Sequence, residues 1–289
     1  MTSEINVIDP VKLVTLEQID ETIFRGVTPE AHWGRVFGGQ VIAQGLASAY
    51  KTVEDRFCHS LHAYFLRPGD PEMPIVFHVD EARDGGSFTN RRVVAIQKGK
   101  QILNMAASFK TQEKGLEHSR TMPDMPPPEE LPSGREIRSK IMHKVEDERK
   151  DLFIGILPIE TRPFNPPDIF NPEPSHDTEK FWFRLNYEGE VSGKVMSHVL
   201  MAYMSDNDFL QASVRPHGVS VYSDNIQTAS LDHALWFHHD FDISDWFLYE
   251  TRSPAASNAT GLNLGNIFAS NGQHVCTVAQ EGLIRLRDK

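Results

Sequence analysis

The sequence predicts an α+β fold made of two tandem units, each a helix followed by long antiparallel strands. The first observation is an internal repeat, because the block over residues 60–109 recurs, degenerate but in order, over residues 230 to about 280. The second is that one helical pattern precedes a run of strand patterns in each copy, rather than alternating with them. A hairpin signal near the end of each copy is the third. Two copies of one unit raise the question of which copy performs chemistry.

Composition sets the protein class. The chain has 289 residues, of which 39% are hydrophobic and 24% charged, and this suits two globular domains with real cores. A net charge of -11 argues against nucleic acid as a partner. Two distant cysteines form neither a disulfide framework nor a zinc site and indicate a reducing compartment.

Targeting signals are not evident in the sequence. The N-terminus lacks the apolar stretch of a signal peptide, and no apolar run approaches the roughly 18 residues that a membrane helix needs. The last three residues differ from the peroxisomal Ser-Lys-Leu tail. We therefore expect a cytoplasmic protein with no membrane partner.

The first unit begins with a helix predicted over residues 36–50, where apolar residues recur at helical spacing. Gly38 and Gly39 near its start lower helix propensity and would be tolerated where another backbone or a ligand comes close. Strands are then predicted over residues 60–66, 75–80, 91–97 and 101–109. Lys98-Gly99-Lys100 joins the last two strands as a hairpin.

The middle of the chain has a different composition. Residues 122–133 and 158–174 are rich in proline, which indicates connections and sheet edges, and the charged residues 134–151 suggest a surface helix. We place an N-terminal domain over residues 1–115, a linker with a surface helix over 116–150, and a C-terminal domain over 151–289.

The second unit repeats the order of the first. Ser192 is a plausible N-cap for its helix. The apolar stripe of that helix comprises Val195, Met196, Val199, Leu200, Tyr203 and Met204. Strands are predicted over residues 181–185, 219–222, 229–238, 246–251, 258–269 and 274–287, with Asn271-Gly272 as a strong hairpin signal between the last two.

Several motifs, in this order, resemble the acyl-CoA thioesterase II family over residues 15–287. They are Gly38-Gly39-Gln40-Val41, the stretch 59–69 (HSLHAYFLRPG), the stretch 84–88 (DGGSF), Ser205-Asp206, Leu231-Asp232-His233, Trp236-Phe237-His238 and Gln280-Glu281-Gly282. The resemblance implies a double hot-dog fold, in which a helix is wrapped by an antiparallel meander twice. It also implies hydrolysis of acyl-CoA to a free fatty acid and coenzyme A, without a metal or an organic cofactor. Because hot-dog sheets commonly pair, a homo-oligomer, either a dimer or a tetramer, is expected.

The resemblance also implies a catalytic set of an Asp, a hydroxyl residue and a Gln, which here are Asp206, Ser230 and Gln280. A thioester is already a good electrophile, so the reaction needs one water held in line with the carbonyl carbon. Asp206 would act on that water as general base, and Ser230 and Gln280 would fix its position. The backbone N–H groups of Gly38-Gly39-Gln40, at the start of the first helix, are our candidates for stabilising the oxyanion.

Four further residues are weaker candidates for substrate contacts. His59 could be an auxiliary residue of the site, although a hydrogen-bonded structural histidine is an equal alternative. Arg67, Arg91 and Arg92 could donate to coenzyme A phosphates, although paired arginines on a strand more often face solvent or form salt bridges. The histidines between residues 233 and 239 alternate between the two faces of a strand, so they do not predict a metal site.

Comparison of the two copies predicts one catalytic set per chain. Alignment of the hairpins places Ala107 opposite Gln280, and alignment of the helices places Ala49 opposite Asp206. Only a hydroxyl survives in the first copy, with Ser60 opposite Ser230. The first copy would therefore supply walls, oxyanion donors and ligand contacts. The alternatives are a non-catalytic acyl-CoA-binding hot-dog protein and a hot-dog enoyl-CoA hydratase, whose Asp and His pair we do not find on either helix.

Overall fold

A computed structural model describes residues 8–28, 34–145, 158–223 and 225–287. The first unit consists of α1 (Pro10–Val14), β1 (Glu17–Asp20), β2 (Ile23–Gly26), α2 (Gly38–Tyr50), β3 (Phe57–Phe65), β4 (Ile75–Asp84), β5 (Phe88–Gln97) and β6 (Lys100–Lys110). The connection contains α3 (Gly134–Ile141). The second unit consists of β7 (Ile159–Pro163), β8 (Thr178–Leu185), α4 (Lys194–Met204), α5 (Gln211–Val214), β9 (Ile226–Ser230), β10 (Asp232–Phe237), β11 (Phe247–Ser257), β12 (Thr260–Ala269) and β13 (His274–Leu286).

One antiparallel sheet runs through both units. Its strand order is β1-β2-β4-β5-β6-β3 in the first unit and β10-β13-β12-β11-β8-β7 in the second, and β9 pairs with the far end of β13. Strands β3 and β10 join the two units, with Leu61 opposite Leu235. The prediction of two tandem helix-plus-antiparallel-sheet units is thus confirmed.

The core lies between the sheet and the two long helices. Helices α2 and α4 pack against each other, and α2 also contacts β4, β5 and β6. Val41, Ile42 and Leu46 on α2 and Val199 and Leu200 on α4 are buried. Each such side chain contributes about 1.5–3 kcal/mol when it leaves water, so this packing holds the ends of both helices in place.

Most predicted elements are present, with three differences. The second helix begins at Lys194 after Gly193, whose φ of 95° suits glycine, so the prediction of Ser192 as its N-cap is wrong. Residues 219–222, predicted as a strand, form a turn in which the Tyr222 N–H donates to Ser220 Oγ. The strand predicted over 229–238 is interrupted at Leu231, between β9 and β10.

The two hairpin predictions are confirmed by backbone conformation. Lys98 and Gly99 have φ of 49° and 71°, and Gly272 has φ of 89°. Helix α3 covers the first part of the predicted surface helix, whose continuation over residues 146–151 lies outside the described residues. The domain boundaries stay predictions. Within the described ranges, no helix is both long and apolar enough to span a membrane.

The strand register identifies equivalent positions in the two units. The pairing of β5 with β6 skips Ile102, and that of β12 with β13 skips Val275. These two residues are as far apart in the chain as Gly99 and Gly272, so the two breaks are equivalent. The register therefore makes Ala107 the counterpart of Gln280, as the hairpin alignment predicts.

The same register corrects the counterpart of Ser230. Cys58 pairs with Phe109, and Ser230 pairs with Gly282, which is the counterpart of Phe109. Cys58 therefore occupies the position of Ser230 in the first unit, and the prediction of Ser60 is wrong. The sequence alignment was displaced by two residues at this strand. Loops differ in length between the two units and shift a sequence alignment, whereas hydrogen-bonded strand pairs preserve the register.

Candidate active site

A cavity of about 470 Å³ lies between the two units. The first unit contributes the start of α2 and the loop after β3, and the second contributes the end of α4 with β9 and β13. Its apolar wall is formed by Val36, Phe37, Val41, Phe65, Ile102, Phe209, Leu210 and Val221. Its polar wall includes Asp206, Ser230 and Gln280, so the three residues implied by the resemblance are brought together.

The carboxylate of Asp206 is held by the start of the opposite helix. Asp206 follows the end of α4 and is 8% exposed, and its Oδ2 accepts a hydrogen bond of 2.8 Å from the N–H of Gly39. A Cβ on Gly38 would lie 2.7 Å from that Oδ2, and a Cβ on Gly39 would lie 2.3 Å from the carbonyl oxygen of Tyr203. Two glycines are therefore needed for α2 to approach Asp206 this closely.

Burial raises the pKa of Asp206 from 3.8 to about 6. Hydrogen bonds from Gln280, Gly39 and Ser230, and the nearby charge of Arg35, lower the pKa and partly oppose the effect of burial. Asp206 is therefore mostly ionised at neutral pH while its basicity exceeds that of an ordinary aspartate. A general base works best when its pKa lies near the operating pH.

Ser230 and Gln280 extend the polar wall across the strands. The Gln280 Nε2 donates to Ser230 Oγ over 2.9 Å, and the Ser230 hydroxyl donates to Asp206 Oδ1 over 3.4 Å. Gln280 is 1% exposed, so water competes little for its amide. These groups can hold a water beside a basic carboxylate. Such contacts commonly tighten when a substrate binds.

His233 and Ser205 belong to the same network, and the sequence analysis did not assign them a role. The Gln280 Oε1 contacts His233 Nδ1, and His233 Nε2 lies 2.9 Å from Ser205 Oγ. Burial lowers the pKa of His233 to about 4, so the ring is neutral at pH 7. A detectable signal is strand alternation, because His233 shares its face with the buried Leu235 and Phe237.

The predicted oxyanion donors occupy different environments. Gly38 lines the cavity at the start of α2, where a helix leaves its first N–H groups without an internal partner. The N–H of Gly39 is used by Asp206. The side chain of Gln40 donates to Thr28 Oγ1 over 3.0 Å and is not part of the cavity wall.

The remaining predicted residues lie away from the cavity. His59 Nε2 is 2.8 Å from Ser108 Oγ. Arg91 is buried, and its guanidinium donates to Thr52 Oγ1 and to Asp84 Oδ1, over 2.8 and 2.9 Å.

Arg92 is exposed on the strand face opposite to the one that Arg91 occupies. The arginines that do line the cavity are Arg35 and Arg67, of which the sequence analysis named only Arg67 for coenzyme A phosphates. In the described part of the chain, no group of three or more His, Cys, Asp or Glu residues has a geometry that could hold a metal ion.

Comparisons with known proteins find relatives along nearly the whole chain. A family model described as acyl-CoA thioesterase matches residues 150–283, and one described as acyl-CoA thioesterase N-terminal domain matches residues 28–110. The chain is 36% identical over 279 residues to acyl-CoA thioesterase 2 of Haemophilus influenzae, covering 96% of this chain and 97% of that protein.

Solved structures extend the similarity to the fold. The acyl-CoA thioesterase II TesB2 of Mycobacterium marinum is 36% identical, has a TM-score of 0.79, and covers 97% of this chain and 98% of its own. A hot dog fold protein of Alicyclobacillus acidocaldarius, 17% identical, has a TM-score of 0.77 and covers 96% of this chain and 98% of its own. The predicted double hot-dog fold is thus confirmed.

Proposed function

The chain belongs to the acyl-CoA thioesterase II family, and we propose that Asp206 activates the water that attacks the thioester. The enzyme hydrolyses acyl-CoA to a fatty acid and coenzyme A. The observation that carries the proposal is a buried carboxylate, with its pKa raised to about 6, on the wall of a cavity beside two groups that can hold water.

The chemical steps require only groups of this cavity and one water. Asp206 takes a proton from the water as its oxygen bonds to the carbonyl carbon, and the carbonyl becomes an oxyanion. Ser230 and Gln280 hold the water in line, which replaces a bimolecular encounter with a fixed approach. The N–H of Gly38 is our candidate for the oxyanion donor, aided by the positive end of the α2 dipole.

Collapse of the tetrahedral intermediate re-forms the carbonyl and breaks the carbon–sulfur bond. The proton held by Asp206 passes to the departing thiolate, so the carboxylate is restored and the products are a fatty acid and free coenzyme A. Burial of Asp206 favours the first proton transfer, because a protonated carboxyl costs less in a dry site than an ionised one. The return to the thiolate is favourable because an ordinary thiol, with a pKa of about 8.5, binds the proton more tightly than Asp206, whose pKa is about 6.

The substrate would lie across the cavity with its two ends in different environments. The apolar wall that includes Phe65, Ile102 and Phe209 suits the acyl chain. Arg35 and Arg67 suit coenzyme A phosphates, since this chain is otherwise strongly acidic. A cytoplasmic location and a homo-oligomeric state stay predictions from the sequence.

The test is release of coenzyme A from acyl-CoA substrates of several chain lengths, followed with a chromogenic thiol reagent. We expect Asp206→Asn to lower kcat by about 100-fold or more, because general-base catalysis is lost. A matched pair of serine variants controls for folding. Ser230→Ala should lower kcat, whereas Ser60→Ala, in the counterpart strand, should leave it unchanged.

Thermal unfolding of each variant would establish that the protein is folded. Wild-type turnover by a folded Asp206→Asn variant would contradict the proposal. Tight binding of acyl-CoA by the wild-type protein without any thiol release would instead favour the non-catalytic alternative.

A further inference from the structure

We propose that His233 is a positioning residue, whose ring holds the Gln280 amide in the orientation that presents its Nε2 hydrogens to Ser230 and Asp206. This inference rests on the proposed function of those three residues. His233 does not line the cavity, and its Nδ1 lies 4.0 Å from Asp206 Oδ1, which is beyond hydrogen-bond distance, so it would act through Gln280. Its side chain is fully buried.

A glutamine amide needs such a partner because its oxygen and nitrogen are nearly equal in size. A half-turn of the amide exchanges a donor for an acceptor at almost no steric cost. With Oε1 towards Asp206, an oxygen would face a carboxylate, and the water would lose a donor. The amide orientation therefore decides whether Gln280 supports the reaction.

Hydrogen-bond directions around the network follow from its most restricted member. An ionised Asp206 can only accept, so Ser230 must donate to it, and Ser230 Oγ can then accept from Gln280 Nε2. The Gln280 Oε1 is thereby left facing His233. An amide oxygen only accepts, so His233 Nδ1 must carry its proton.

The other ring nitrogen closes the network. The Ser205 hydroxyl has one proton and two acceptors within reach, the Ala202 carbonyl oxygen at 3.1 Å and His233 Nε2 at 2.9 Å. In a neutral ring protonated at Nδ1, Nε2 accepts, so the hydroxyl would donate to this nearer partner. Ser205 precedes Asp206 in the chain, and the Tyr249 hydroxyl donates to the Ser205 carbonyl over 2.9 Å. Each group in the network therefore donates to the next, from the Ser205 hydroxyl through His233, Gln280 and Ser230 to the Asp206 carboxylate. His233 is the member that fixes the orientation of the Gln280 amide.

The first unit supports treating His233 and Gln280 as a pair. His62 and Ala234 pair with Ala106 and Ala279, which the register makes counterparts, so the counterpart of His233 is Leu61. The counterpart of Gln280 is Ala107. Both members of the pair are apolar in the unit that lacks the carboxylate.

The kinetic test uses three substitutions in the full chain. His233→Asn retains a donor near the position of Nδ1, and His233→Gln retains a polar group near Nε2 only. His233→Leu reproduces the first unit. We expect the Gln and Leu variants to lower kcat by about 10- to 100-fold with KM unchanged, because a misoriented group costs turnover rather than binding. The Asn variant should retain most of the wild-type kcat.

Gln280→Ala separates this inference from the proposed function. If His233 acts through Gln280, the double variant His233→Leu/Gln280→Ala should have the same kcat as Gln280→Ala alone. Losses that multiply in the double variant, or equal losses in the Asn and Gln variants, would overturn the inference. Wild-type turnover by Gln280→Ala would contradict the proposed function itself.

A spectroscopic measurement reports the state of the ring in the wild-type protein directly. Nitrogen chemical shifts of labelled histidine, with the His233 signals assigned by their loss in His233→Asn, report the tautomer. We expect a neutral ring protonated at Nδ1 throughout the pH range in which the enzyme turns over. A ring protonated at Nε2, or at both nitrogens, would overturn the inference.

Discussion

The two units form two junctions between their helices, and the cavity lined by Asp206, Ser230 and Gln280 lies at one of them. At that junction, α2 begins with Gly38 and Gly39 and faces Asp206 at the end of α4. At the other junction, the helix alignment places Val195 and Met196 opposite those two glycines. Ala49 stands where Asp206 would be. The helix start that admits a carboxylate in one junction therefore carries side chains in the other.

Aromatic rings fill the second junction. His198 stacks on Phe237 with ring centroids 4.1 Å apart, and the Tyr50 hydroxyl lies 2.8 Å from His198 Nδ1. Phe237 is the register counterpart of Phe65, which lines the cavity that holds Asp206. Burial lowers the pKa of His198 to about 3, as expected for a neutral packing residue. The junction at the start of α2 thus contains a cavity with a basic carboxylate, whereas the junction at the start of α4 is filled by packed rings.

Placing a side chain at the start of α2 should have the largest effect. We expect Gly38→Ala to lower kcat by about 100-fold, because its Cβ would meet Asp206 Oδ2 at 2.7 Å and displace the base. Gly86→Ala is the control, since a Cβ there meets nothing within 4 Å. Steady-state thiol release measures the effect, and wild-type kcat in Gly38→Ala would show that the close approach is not needed.

The pH dependence of kcat should show the next largest effect, because it reports the protonation of Asp206 at the cavity junction. The pKa of Asp206 is raised to about 6, so the carboxylate is protonated and inactive as a base below that pH. We expect kcat to fall about tenfold for each pH unit below 6 and to be constant above it. Ser230→Ala removes a donor to the carboxylate, so its acid limb should move to higher pH. An unmoved limb would mean that another group titrates.

Damage to the filled junction should change stability and leave chemistry intact. The Tyr50 hydroxyl also accepts from the N–H of Cys58 over 2.9 Å, so Tyr50→Phe would leave a buried donor unpaired. We expect a loss of about 1–3 kcal/mol in the free energy of unfolding, with kcat unchanged. Denaturant unfolding and thiol release measure the two quantities. A large fall in kcat would show that the second junction also contributes to turnover.

The smallest effects should come from the arginines. Arg67→Ala, at the cavity, should raise KM for acyl-CoA by a few fold, because a charge-assisted contact to phosphate is lost. Arg92→Ala should leave both kcat and KM unchanged, because its side chain is on the opposite face of the sheet from the cavity. A raised KM in Arg92→Ala would indicate that Arg92 contacts the coenzyme A phosphates, as the sequence analysis allowed.

The sequence determined the elements and the number of units. Helical and strand periods placed α2 and α4 and most strands, because these patterns reflect which face of each element is buried. Motif resemblance selected Asp206, Ser230 and Gln280, and the structure brings these three side chains to one cavity. The prediction of unequal copies also depended on residue types alone, and Ala107 is the counterpart of Gln280 in the sheet.

Only the tertiary structure decided what lies between the units. Cys58, and not Ser60, is the counterpart of Ser230, because the register is defined by hydrogen-bonded strand pairs. Loops of unequal length prevent a sequence alignment from finding these pairs. Arg91 and Arg92 are adjacent in sequence, yet one is buried in a hydrogen-bond network and the other is exposed, because successive strand residues face opposite ways. His233 and Gln280 are 47 residues apart in the sequence and lie on different strands, so no local sequence pattern predicts their contact.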